Sequence, residues 1–233
     1  MQTVWYNRTM RWYLSAKARL SMALLLASAS SVALFVGGAV RTHTTMYGYL
    51  VWNLFLAWIP FLITLWLLKI LRTRLWSSWQ AIVMTIMWLG FLPNSFYLIS
   101  DLTHLEDMPH VYFLYDATMF ASFVINGVIL GYISLYLVHS ELVRRLTKRW
   151  GNVLAAVILL LCSFAVYLGH ILRWNTWDIL LNPAGVLVDI SDPILHPRAD
   201  ASAFLTTITF FALLSTTYAV LWQLVRVVRQ QKA

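Results

Sequence analysis

Apolar residues in this chain neither alternate nor recur with the period of a surface helix. They fall into six long runs, at 20–40, 48–68, 79–98, 117–138, 152–172 and 203–224, separated by short polar stretches. Each run reaches the length of about 20 residues that a helix needs to cross a bilayer. Hydrocarbon offers the backbone no hydrogen-bond partner, so runs of this length must be helical, and the alternating pattern of a membrane barrel is absent. The pattern predicts an all-α, polytopic membrane helical bundle of six transmembrane helices. It divides the chain into a basic arm (1–19), a six-span membrane domain (20–225) and a short tail (226–233). Within the membrane domain the one long connection is 173–202.

Composition sharpens the picture. Of 233 residues 61% are hydrophobic and 11% charged, with mean hydropathy +0.72, far from the balance of a soluble domain. A soluble globular enzyme is excluded, and six crossings leave no room for a separate soluble domain. The net charge of +8 raises nucleic-acid binding, until the charges are placed. The arm (Arg8, Arg11, Lys17, Arg19), the 69–78 connection (Lys69, Arg72, Arg74), the 139–151 connection (Arg144, Arg145, Lys148, Arg149) and the tail (Arg226, Arg229, Lys232) carry fourteen of seventeen Lys and Arg. The opposite connections hold Arg41, Arg173 and Arg198 and eight of the nine acids. Cytoplasmic segments retain positive charge during insertion, so both termini are expected to be cytoplasmic. The basic balance is a topology signal, and nucleic acid is set aside as a partner.

The first run has a basic arm before Leu24-Leu25-Leu26 and then Ala27-Ser28-Ala29, the outline of a cleaved signal peptide. Apolar character continues to Val40, and loss of this span would leave an amino terminus on the wrong side for the charge pattern. It is therefore read as a retained span. Cys162 lies mid-span as the single cysteine, so there is no intramolecular disulfide, and it reads as a packing residue.

The polar chemistry gathers on the expected outer side. Five of six histidines (His43, His104, His110, His170, His196) share it with the eight acids, the raw material of metal ligation or acid–base work. The segment WLGFLPNSFYLISDLTHL, from Trp88 to Leu105, places Pro93 late in a helix, where proline removes a backbone donor and kinks the chain. Helix continuing past that kink would carry Asn94, Tyr97, Asp101 and His104 as one polar stripe. Asp101 and His104, one turn apart, suit a shared divalent ion or a carboxylate-oriented imidazole. Asp116 begins the fourth span, where an acid also favours the helix dipole. In YLGHILRWNTWDILLNP, from Tyr167 to Pro183, His170, Arg173, Trp174, Asn175 and Asp178 crowd one boundary. Arg173 there suits a carboxylate or phosphate, or pairs with Asp178, while the tryptophans fit an aromatic belt. Gly127 and Gly131 form a small-xxx-small packing face, and Asn126 and Asn53 read first as helix-packing amides. The threonines of the sixth span bond back to their own helix.

Together, YLVWNLFLAWIP (49–60), the 88–105 motif, the Asp116 segment and the 167–183 motif resemble a bacterial multi-pass membrane protein family catalogued as domain of unknown function 1361. The resemblance runs from about Tyr49 to Leu224. It implies a helical membrane fold in the bacterial cytoplasmic membrane. It also implies that Asn94, Tyr97, Asp101, His104, Asp116, Arg173, Trp174, Asn175 and Asp178 are family features, and it carries no activity or catalytic residue.

Three functions fit these residues. The leading one is an outward-facing enzyme with Asp101, His104, Asp116, His170 and Asp178 as catalytic groups. Asn94, Tyr97, Arg173, Trp174 and Asn175 would hold a lipid-linked or anionic substrate. A divalent metal on Asp101 and His104 would activate water for hydrolysis or transfer. A transporter or sensor, with Asn53 and Asn126 lining a polar path beside the broken third helix, is the second. The third is a structural subunit docking a protein partner through its outer polar patch. A haem between His104 and His170 is a residual reading. Whether the third and fifth spans are neighbours is not legible in the sequence, and every site reading depends on it.

Overall fold

The computed structural model describes residues 2–107, 113–170, 185 and 201–231, with side chains for 18–105, 113–169, 185 and 202–231. Among the described residues six long α-helices stand out: α1 (Gln2–Thr42), α2 (Gly48–Ile70), α3 (Trp79–Tyr97), α4 (Phe113–Arg145), α5 (Lys148–His170) and α6 (Ala201–Gln230). A 3-10 helix, Ser100–Asp107, follows α3. All six α-helices contain a stretch long and apolar enough to cross a membrane, and the chain is a multi-pass membrane protein. Helices outrun the apolar runs that announce them: α1 includes nearly the whole basic arm, and α4 extends seven residues past 138.

The expected single stripe of Asn94, Tyr97, Asp101 and His104 is corrected by a change of helix type. The α-helix passes through Pro93 and ends at Tyr97, and the chain resumes as 3-10 helix from Ser100. With three residues per turn in place of 3.6, the register breaks after Tyr97 and the four side chains meet different neighbours.

Helices α2, α3 and α4 pack mutually, α5 closes on α3 and α4, α1 lies on α4, and α6 lies on α5. Close approach of α3 and α4 rests on the two glycines. A Cβ on Gly131 would stand 2.8 Å from Ser95 Cβ, and one on Gly127 3.0 Å from the Ser95 carbonyl oxygen, so the small-xxx-small face does pack helices. At the heart of the bundle, Trp88 Nε1 donates to Ser134 Oγ (2.8 Å), Thr64 Oγ1 lies 2.8 Å from the same oxygen, and Ser134 donates to the Pro60 carbonyl at 3.2 Å. Thr64 donating to Ser134 completes the account, because one hydroxyl supplies one donor and two lone pairs. Ser95 Oγ donates to the Ala57 carbonyl beside Pro60. Proline is tolerated in a membrane helix when neighbouring hydroxyls serve the disturbed carbonyls.

Asn126 acts as a packing amide: its Nδ2 reaches Ser31 Oγ (2.7 Å), the Ala27 carbonyl and the Ser122 carbonyl, tying α1 to α4. Tyr115 Oη donates to the Leu34 carbonyl and its ring lies against Gly37 and Gly38. At the arginine-rich end, Arg145 binds Glu141 and donates to the Leu71 carbonyl, joining α4 to the end of α2. His139 is fully occupied, with Nδ1 on Tyr218 Oη (2.9 Å), Nε2 on Asn152 Oδ1 (3.1 Å) and its ring stacked on Trp222. Cys162 is fully buried, as a packing cysteine should be.

Candidate polar site at the end of the bundle

At the end opposite the arginines, the 3-10 helix lies against α4 and within reach of α2. Tyr49 and Asn53, four residues apart in α2, share one face of that helix. Asp101 and His104, three apart in the 3-10 helix, eclipse one another. The two pairs face each other. Asn53 Nδ2 donates to Asp101 Oδ2 at 2.9 Å, and the Tyr49 and His104 rings meet edge to face, with centroids 5.6 Å apart. The elements join because Ser100 Oγ and Thr103 Oγ1 bond back to the Tyr97 and Ser100 carbonyls, holding the tight turn that a regular α-helix would not make.

Burial is graded across the four residues. Asp101 is 3% exposed, Tyr49 and Asn53 are half-buried, and His104 is exposed. Among the described residues the Asp101 carboxylate accepts one side-chain hydrogen bond, from Asn53, and no Lys or Arg pairs with it. His104 is near enough to act on it electrostatically. A carboxylate removed from water with an amide as its hydrogen-bond donor is expensive, and structural packing alone would not require one. The imidazole beside it reaches solvent, so the arrangement can pass a proton between a surface group and a buried acceptor.

Tyr97 turns to the fifth helix, and its Oη donates to the Gly169 carbonyl at 3.4 Å. Helices α3 and α5 are therefore neighbours, and the 88–105 motif meets the start of the 167–183 motif. Asn94 donates to the Phe91 carbonyl of its own helix. Asp116, in the first turn of α4, is 8% exposed. Four residues on, Phe120 packs edge to face on Tyr47 at the start of α2, so Asp116 shares the α4 face turned toward α2. His43 ends α1 in the left-handed region (φ 54°), a helix stop.

Of the remaining residues read as site candidates, the side chain of His170 and all of Arg173, Trp174, Asn175 and Asp178 lie outside the described residues. Among the described residues no three His, Cys, Asp or Glu side chains gather as a metal-ligand set. Asp101 and His104 supply two donors, short of the three or four that a protein gives a transition metal. Tyr49 is the site residue that sequence reasoning missed, although its position one helical turn before Asn53 was visible. Asn53, read as a packing amide, is the hydrogen-bond partner of the buried acid.

Neither a curated protein nor a solved structure matches the chain. The profile of one family matches residues 52–216, from α2 into α6 and across Asn53, Asp101 and His104. Over that length the match covers most of the chain, and the protein belongs to the DUF1361 family of proteins of unknown function.

Proposed function

We propose that the protein is an enzyme of the bacterial cytoplasmic membrane that carries out hydrolysis or group transfer at its outer face. Its substrate would be a lipid-linked or anionic molecule. The arginine-rich ends lie in the cytoplasm, which puts both termini there and turns Asp101 outward. In this reading His104 is the general base that takes a proton from the attacking hydroxyl, Asp101 stabilises the imidazolium that forms, and Asn53 holds Asp101 in place. Arg173 and its neighbours Trp174 and Asn175 would engage the anionic head group, with His170, Asp178 and Asp116 as further acid–base groups. The observation that carries the reading is the near-complete burial of Asp101 under one amide hydrogen bond, beside an exposed histidine.

Transport is less well supported. Asn126 is committed to Ser31 and Ala27, and the polar centre around Ser134 is satisfied internally.

The test reconstitutes the protein in nanodiscs made from a bacterial membrane lipid extract and follows every lipid species by mass spectrometry. The wild type should consume at least one species. Asp101→Asn and His104→Gln should each slow that turnover by about 10²- to 10⁴-fold, the usual contribution of a positioned acid or base. A wild type that leaves every lipid unchanged, or variants as fast as wild type, overturns the proposal.

A further inference from the structure

We infer that Tyr49 is a positioning residue, whose ring holds the His104 imidazole in the orientation from which it takes a proton. This role rests on the functional reading above, in which Tyr49 has no part.

Asp101 is held by burial and by the Asn53 amide, whereas His104 is exposed on a short 3-10 helix. Exposed side chains exchange rotamers within picoseconds to nanoseconds, and a general base has to stay within hydrogen-bond reach of the proton it takes. Tyr49 is placed to select one rotamer. It lies in the first turn of α2, packs against the core formed by Leu50, Leu54 and Phe120, and its hydroxyl oxygen is buried. The ring is therefore a fixed wall. His104 meets it with centroids 5.6 Å apart and planes at 68°, the edge-to-face geometry that aromatic pairs prefer. Leu105, the next residue, packs on the same core, so the backbone beside His104 is pinned as well.

The spacing of the two elements makes one device of two contacts. Four residues of α-helix, from Tyr49 to Asn53, rise about 6 Å. Three residues of 3-10 helix, from Asp101 to His104, also rise about 6 Å. The matched steps let Asn53 reach Asp101 while Tyr49 reaches His104. Had the chain stayed α-helical after Tyr97, the second step would be about 4.5 Å and the pairs would fall out of register. One face of α2 thus sets where the acid and the imidazole stand relative to each other.

Relaxation of ¹³C-labelled histidine rings tests this without knowledge of the reaction, using the full-length protein in nanodiscs and identifying the His104 signal by its loss in His104→Gln. The ring should be rigid in the wild type and in Tyr49→Phe, with an order parameter above about 0.6, and fall below about 0.6 in Tyr49→Leu. In the lipid-turnover assay Tyr49→Leu should lower kcat by about threefold to tenfold, equivalent to about 0.7–1.4 kcal/mol, with KM unchanged. Tyr49→Phe, which keeps the ring, should restore the rate. Adding Tyr49→Leu to His104→Gln should slow turnover no further, because the ring acts through the imidazole. A residue that only packed the core would lower the rate equally in both backgrounds. A mobile wild-type imidazole, a ring that stays rigid in Tyr49→Leu, or a loss undiminished in the His104→Gln background overturns the inference. Tyr49→Met carries the same expectations if the leucine variant fails to fold. Turnover intact in His104→Gln, with the ring freed by Tyr49→Leu, removes the acid–base reading and keeps the contact. Turnover lost in His104→Gln, with the ring unmoved by Tyr49→Leu, does the reverse.

Discussion

Replacing Gly131 with alanine tests the packing of α3 on α4 at a single methyl group. The added Cβ would stand 2.8 Å from Ser95 Cβ and 3.0 Å from Cε1 and Cζ of Phe96, where carbon pairs prefer about 3.5–4.0 Å. Neither neighbour can swing away. Ser95 Cβ is fixed to the α3 backbone, and the Phe96 ring is fully buried against Tyr132. The helices must instead separate by several tenths of an ångström, straining the Trp88–Ser134 hydrogen bond in the same interface. Overpacking of this kind costs about 1–3 kcal/mol, and alanine's better helix propensity returns about 1 kcal/mol. The net loss, up to roughly 2 kcal/mol, should lower the melting temperature by up to about 8 °C for a chain of this size. Thermal unfolding in detergent, followed by far-ultraviolet circular dichroism, measures it. Gly90→Ala is the internal control, because a Cβ there meets nothing within 4 Å and only the propensity gain of about 1 kcal/mol remains. If Gly131→Ala melts as high as Gly90→Ala, the two helices do not approach as described.

Ser134→Ala should cost about 1–3 kcal/mol by leaving Trp88 Nε1 without its acceptor, and adding Trp88→Phe should recover part of the loss in the same melt. A Ser134→Ala protein as stable as wild type would refute the hub. Asn126→Leu removes the amide that joins α1 to α4 and should lower stability by about 1–2 kcal/mol; proteolysis between α1 and α2 should then be faster, and an unchanged rate counts against that anchor. Orientation is read by a membrane-impermeant maleimide in a Cys162→Ala background. Thr44→Cys should react in intact cells and Ser77→Cys only after lysis, and the opposite pattern would reverse the topology.

What the sequence determined by itself was the architecture of the spans. Runs of about 20 apolar residues leave the backbone no option but helix, and the placement of seventeen cations allows an orientation to be proposed before any contact is known. The roles of Gly127, Gly131 and Asn126 were also legible, since small residues and amides in a lipid setting have few other uses. Only the tertiary structure decided what the polar residues near Pro93 do. A reading at 3.6 residues per turn put Asn94, Tyr97, Asp101 and His104 on one stripe. The switch to 3-10 geometry after Tyr97 sends Tyr97 to Gly169, Asp101 to Asn53 and His104 to Tyr49. The Asn53–Asp101 bond spans 48 positions in the chain, and no local pattern encodes a partner at that distance. Helical periodicity reports which face a residue occupies. Which helix covers that face is settled by the packing of the whole bundle.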